Sequence, residues 1–145
     1  MANKDLVLNN EYANTEQKTV GLLACVAQEI QAKYIKVLSP LGVSPLQSNI
    51  IHVLDLGPEK GLTVNEIKKL QFEESPNISR ALNKLMDKGY IIKNRNKVDQ
   101  RVVYIQITDE GRKLHKKCDE VSASVFKLDL PDKDIEALFQ ILKKL

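Results

Sequence analysis

The chain has 145 residues, 43% of them apolar, which is enough for one domain with a hydrophobic core and cramped for two. Its longest apolar run, Val20 to Ala27, is eight residues long and contains a glycine, far short of the roughly 20 needed to cross a bilayer, and the first residues are polar and of mixed charge; neither a membrane span nor a signal peptide is expected. The net charge of +3 is uneven: residues 75–101 hold seven basic and two acidic side chains, a local +5 that leaves −2 on the remainder, as a polyanion-binding surface would.

Apolar residues at Val20, Leu23, Ala24, Ala27, Ile30, Tyr34, Val37 and Leu38 recur at intervals of three and four and predict a long amphipathic helix from about Thr15 to Leu38, stopped by Ser39-Pro40-Leu41-Gly42. Residues 1–13 carry no such commitment. Ser44-Pro45-Leu46-Gln47 joins an N-cap, a proline at the first helical position and a glutamine placed for a capping box, opening a helix through Ile50, Ile51, Val53 and Leu54 that Gly57-Pro58 closes. Thr63-Val64-Asn65-Glu66 is a second capping box before Ile67 and Leu70, and Ser75-Pro76 starts a further helix. On that helix Ile78, Ala81, Leu82, Leu85 and Met86 share one side, while Pro76, Asn77, Arg80, Asn83, Lys84 and Asp87 share the other, with Lys88-Gly89 as the stop.

Two β-rich segments follow, Tyr90 to Lys93 and Val102 to Ile107, separated by a loop holding Arg95, Lys97, Asp99 and Arg101: a hairpin with a long basic tip. Thr108-Asp109-Glu110 supplies an N-cap and two acids for the first turn of a helix through Leu114, Cys118, Val121 and Val125. Beyond Pro131 a last helix carries Ile135, Leu138, Phe139, Ile141 and Leu142.

Two short helices, the second with an outward polar face, and then a hairpin with a basic tip describe a helix-turn-helix with a wing. The major groove of DNA admits one α-helix, whose N-terminal residues read base edges; here these are Ser75, Pro76, Asn77, Ser79 and Arg80, with Lys84 one turn further on. An asparagine amide suits adenine, an arginine guanidinium suits guanine, and the helix N-terminus favours phosphate. Taken alone, Asn77 and Arg80 would be the solvated face of an amphipathic helix; the basic wing beside them gives that face a partner. Arg101 at the wing tip is suited to a narrow minor groove, and Asp99, two residues earlier, can pair with it and hold its rotamer.

With those residues in view the chain resembles the MarR family of bacterial transcriptional regulators over nearly its full length. The most specific part is the D-x-R wing signature, here Asp99-Gln100-Arg101, followed by a strand and the T-x-x-G-R run Thr108 to Arg112. The resemblance implies a mainly α fold with a small β-hairpin wing: a single domain over 1–145, with a DNA-binding winged helix-turn-helix at 44–107 and dimerisation helices at 14–40 and 108–145. It implies a homodimer on a pseudo-palindromic double-stranded operator, more often a repressor, released by a small-molecule effector. By that resemblance Arg101 enters the minor groove, residues 75–80 enter the major groove, and Tyr34 and His52 fall where an effector pocket lies. Independently of the resemblance, the terminal helices carry more apolar surface than the small central motif can cover, which a second copy would bury.

Cys25 and Cys118 lie 93 positions apart without CxxC spacing, so no zinc site or disulfide framework is indicated and a reducing cytoplasm is the default compartment. Some branches of the family sense peroxide through a cysteine on the first helix, about a turn earlier than Cys25, where this sequence has Val20; Cys25 reads as a buried small hydrophobe, with a redox-responsive regulator as the alternative. His115 and Cys118, three apart on one helix, have no further ligands of suitable spacing, and no metal or cofactor is expected. The two histidines look isolated and no Gly-rich phosphate loop is present, so no enzymatic activity is expected. The rival class is a winged helix used for protein contacts alone, which would show no steep salt dependence on DNA.

Overall fold

The computed structural model describes residues 3–71, 77–99 and 101–145. In chain order it contains α1 (Lys4–Leu8), α2 (Thr15–Leu38), a 3-10 turn (Ser39–Leu41), α3 (Pro45–Asp55), α4 (Val64–Lys69), α5 (Ile78–Asp87), β1 (Ile91–Arg95), β2 (Val103–Ile107), α6 (Asp109–Ser122) and α7 (Asp132–Leu142).

The helix starts are made by the side chains that announce them in the sequence. Ser44 Oγ accepts from the Gln47 amide at 3.2 Å while Gln47 Oε1 accepts from the Ser44 amide at 2.9 Å, and Thr63 and Glu66 repeat the exchange at 3.2 and 2.7 Å. Each exchange satisfies amides that the first helical turn leaves without a partner. Those bonds, from the Thr63 backbone first and its hydroxyl second, hold the Glu66 carboxyl below its usual value. Thr108 caps α6 by accepting from the Gly111 amide at 3.1 Å, and its own hydroxyl donates to the Gly89 carbonyl at 2.7 Å.

The core gathers the inner faces of α3, α5 and α6 over the hairpin. Ile50, Ile51, Ile67, Leu85, Ile91 and Ile105 are each no more than 1% exposed, and burial of a side chain of that size contributes about 1.5–3 kcal/mol. β1 and β2 pair antiparallel from Ile91↔Ile107 to Arg95↔Val103. Leu62 adds a third edge: its amide donates to the Ile105 carbonyl at 3.0 Å, and the Ile105 amide donates to the Leu62 carbonyl at 2.8 Å.

Three expectations are corrected, and a fourth falls outside the described residues. Residues 4–8 form a helix: Lys4 pairs with Glu29 at 2.8 Å and Val7 packs over Gly21, so α1 folds back along α2. α5 begins at Ile78 with Asn77 at the N-cap position, while the proposed start at Ser75-Pro76 lies outside the described residues. α6 stops at Ser122, and Val125 is buried beyond its end. Arg95 closes strand β1, because its pairing with Val103 extends the ladder two residues past Lys93.

The terminal helices leave apolar surface uncovered. α7 has no buried residue, Phe139 and Ile141 are 57% and 58% exposed, and Val20 on α2 is 62% exposed. Among the described residues no helix is long and apolar enough to cross a membrane.

Candidate nucleic-acid interface

α5 divides its residues as their spacing predicts. Ile78, Ala81, Leu82 and Leu85 are buried, which turns Asn77, Ser79, Arg80, Asn83 and Lys84 outward. Asn77, Ser79 and Arg80 therefore sit at the first turn, where helix amides and side chains point the same way. Ser75 and Pro76 lie outside the described residues.

The wing tip is built by short side-chain-to-backbone bonds. Asn96 Oδ1 accepts from the amides of Val98 at 2.8 Å and Asp99 at 3.3 Å, and the Asn96 amide donates to the Val102 carbonyl at 2.9 Å. Asp99 Oδ1 accepts from the Arg101 amide at 3.0 Å. The acid in this basic loop thus holds the backbone turn, where the sequence had suggested a pairing with the Arg101 guanidinium; an aspartate two residues before an amide closes such a turn with little strain. Arg95, Lys97, Asp99 and Arg101 are all exposed. At the wing's base Lys60 lies 5.4 Å from the Tyr104 ring centroid and Gln106 donates to the Glu59 carbonyl at 3.1 Å, fixing the hairpin to the segment before α4.

Behind α5 lies a cleft of about 1050 Å³ between α2, α3, α5 and α6. It brings together residues that the sequence lists separately: Tyr34 and His52, the two pocket candidates, and Asn77, Arg80 and Lys84 from the outward side of α5. Tyr34 Oη donates to Ser48 Oγ at 3.0 Å, and its ring meets Phe126 edge-on with centroids 5.2 Å apart. Asn49 donates to Gln71 at 2.7 Å along the rim. The cleft thus has an aromatic floor, an amide-lined wall and two cations on the side facing α5.

Sequence reasoning missed the polar tie between α3 and α6. His52 Nδ1 and His115 Nε2 are 2.9 Å apart, His115 Nδ1 is 2.6 Å from Asp55 Oδ2, and Arg112 pairs with the other Asp55 oxygen. The histidines that looked isolated are in contact. Burial pushes the Asp55 carboxyl up, but the His115 hydrogen bond and the charges of Arg112 and His115 outweigh it and hold the group below its usual value. One signal was available: Gly111, Leu114, His115, Cys118 and Ser122 repeat at helical spacing and are all buried, so His115 sits on the inward stripe of α6. Cys118 lies on that stripe without joining His115 in a ligand set, and burial pushes its thiol up; Cys25 is buried as well, so both sulfurs are placed as small hydrophobes.

Against known proteins, the family described as transcriptional regulator SarA/Rot matches residues 34–118, more than half of the chain. The regulator TcaR of Staphylococcus aureus is 31% identical over 120 residues, covering 79% of this chain and 78% of that protein. SarZ of Staphylococcus epidermidis is 26% identical over 100 residues, and the match spans 66% of its length. A putative MarR-like transcription regulator from Bacillus cereus superposes with a TM-score of 0.80 at 18% identity, over 89% of this chain and 94% of that one, a likeness of fold. The S. aureus MepR–DNA complex superposes with a TM-score of 0.70 at 26% identity, over 85% and 92%.

Proposed function

The chain belongs to the SarA/Rot family of transcriptional regulators, of MarR type, and on that premise we propose that it is a cytoplasmic homodimer that binds a pseudo-palindromic operator in double-stranded DNA and acts as a repressor. In this reading the first turn of α5, with Asn77, Ser79 and Arg80, enters the major groove; Lys84 contacts the backbone, and Arg101, with Arg95 and Lys97 beside it, meets the minor groove and its phosphates. Ser75 and Pro76 keep their place in the proposal as the residues leading into that turn. The observation that carries the reading is the pairing of an exposed polar face on α5 with an exposed basic wing, in a chain whose positive charge is concentrated there. The MepR relative has been solved on DNA with the same fold.

Fluorescence anisotropy on labelled duplexes from upstream of the protein's own gene, repeated across salt, tests this. Tight binding to one fragment with a steep inverse dependence on salt is the expected result. Weak binding that ignores salt and sequence would instead favour a winged helix that makes only protein contacts. No catalytic role is assigned to any residue in this reading. The cleft holding Tyr34 and His52 is the proposed effector site, because α5, the helix proposed to read DNA, forms one of its walls.

Dimerisation would cover the uncovered terminal faces. Sedimentation velocity should find a dimer for the parent chain. Phe139→Asp, on a helix with no buried residue, should weaken dimerisation by roughly 30-fold or more, as for loss of an anchor worth about 2 kcal/mol, while the monomer keeps its helical circular dichroism. A parent that sediments as a monomer at all concentrations would remove the dimer from the reading.

A further inference from the structure

The two histidines of this chain are 63 residues apart in sequence and meet in one place, beside a carboxylate. His52 Nδ1, His115 Nε2 and an Asp119 oxygen all lie within 4.8 Å of one another. His115 Nε2 stands 2.9 Å from the first and 3.4 Å from the second. Four ligands at zinc distances of 2.0–2.1 Å in a tetrahedron are separated by about 3.3 Å along each edge, so two of the three needed edges are already close to length. We propose that His52, His115 and Asp119 form a Zn(II) site bridging α3 and α6.

The hydrogen bonds around His115 give the physical reason. Asp55 Oδ2 lies 2.6 Å from His115 Nδ1 while Arg112 holds the other Asp55 oxygen, so Nδ1 carries its proton toward that carboxylate. In the neutral ring this leaves Nε2 with a bare lone pair. That lone pair has His52 Nδ1 at 2.9 Å and Asp119 Oδ2 at 3.4 Å. A Zn(II) ion among the three would take the place of the proton that His52 Nδ1 and His115 Nε2 otherwise share, and the carboxylate–histidine pairing on the far side of the ring is the arrangement that orients and strengthens a zinc-binding imidazole. His52 supplies the second nitrogen, and two nitrogens with one oxygen suit Zn(II) better than the hard cations that prefer oxygen alone.

His115 is buried while Asp119 is 65% exposed, and both His52 and Asp119 line the cleft behind α5. The fourth coordination position therefore opens toward that cleft and is left to water or to a ligand atom. Because α3 leads into the helix-turn-helix and α6 follows the wing, a metal here would clamp the two ends of the DNA-binding segment together. The zinc-binding claim does not depend on DNA recognition and is testable without it.

The test uses the full chain, stripped with a chelator and titrated with Zn(II) against a chromophoric competitor, with Co(II) absorption as a readout of coordination geometry. One Zn(II) per chain is expected, together with a Co(II) spectrum of tetrahedral intensity and a rise in Tm with zinc. His52→Gln and Asp119→Asn, both at exposed positions, should each weaken binding by at least the roughly 10–100-fold that loss of an outer partner costs. Asp55→Asn, a positioning change, should weaken it within that range and alter the ring-nitrogen shifts of His115. With two histidines in the chain, 15N spectra of the rings resolve both sites, and zinc should move His52 Nδ1 and His115 Nε2 together. Binding that is absent in the parent, or equal in the parent and in folded His52→Gln, would overturn the proposal, as would ring shifts that report only a shared proton.

Discussion

Arg80→Ala combined with Arg101→Ala should reduce affinity for the operator by about 30-fold or more, and by up to some four orders of magnitude, at unchanged fold stability. Each arginine, if it contacts DNA as proposed, contributes about 1–3 kcal/mol, and contacts made by separate elements add. The single changes should differ in kind. Arg80 lies on the first turn of α5, so its loss should relax discrimination at one base position; Arg101 lies on the wing, so its loss should weaken binding to all fragments more evenly and flatten the salt dependence. Both side chains are exposed, and substitutions at such positions stay within about 0.5 kcal/mol in stability, so unfolding does not confound the readout. Operator binding by the folded double variant as tight as the parent's would remove both α5 and the wing from the mechanism.

The same Arg80 lines the cleft with Lys84 and Asn77. α5 therefore presents one set of side chains to two places, the proposed DNA surface at its outer edge and the cavity behind it. An occupant of the cleft that draws Arg80 inward would take it from the groove. Release of DNA by an effector then needs no long-range relay, because the competing sites share a residue; this couples cleft and operator by as much free energy as the two positions of Arg80 differ.

Much of the fold was legible because short-range chemistry fixes it. The two capping boxes and the αL glycine after α5 each act within four residues, and each is found where the sequence puts it. The inner and outer faces of α5 were legible for the same reason. Most of what escaped depends on where distant segments meet. Nothing in the sequence sets His52 beside His115, because that contact is made by the packing of α3 on α6; nor does the sequence bring α1 back along α2, which depends on Lys4 reaching Glu29. Asp99 is a local case: its spacing from Arg101 suggests a side-chain partner, but its nearer option is the backbone. An aspartate two residues from an amide has a local hydrogen bond available that the long arginine side chain need not supply.

Gly61→Ala should destabilise the protein by roughly 2–5 kcal/mol, a large share of the about 5–15 kcal/mol available to a domain of this kind, while Gly89→Ala should cost only about 1–2 kcal/mol. Both glycines have positive φ, +83° and +74°, so the conformational cost to an L residue is the same kind at each. They differ in what a Cβ would meet. At Gly89 nothing lies within 4 Å; at Gly61 it would stand 2.1 Å from the Ile105 carbonyl oxygen and 2.8 Å from its carbon. Those atoms are backbone in a strand whose side chain is fully buried, and they cannot give way as a flexible side chain would. The chain before α4 must come this close for Leu62 to exchange its two hydrogen bonds with Ile105, and those bonds seat the hairpin whose far end is the wing. Chemical denaturation of the two variants separates the terms: a larger fall in midpoint for Gly61→Ala measures the collision. Equal falls would show that the Leu62–Ile105 bridge yields at little cost, so that the wing is held by its own pairing and the core face of β2.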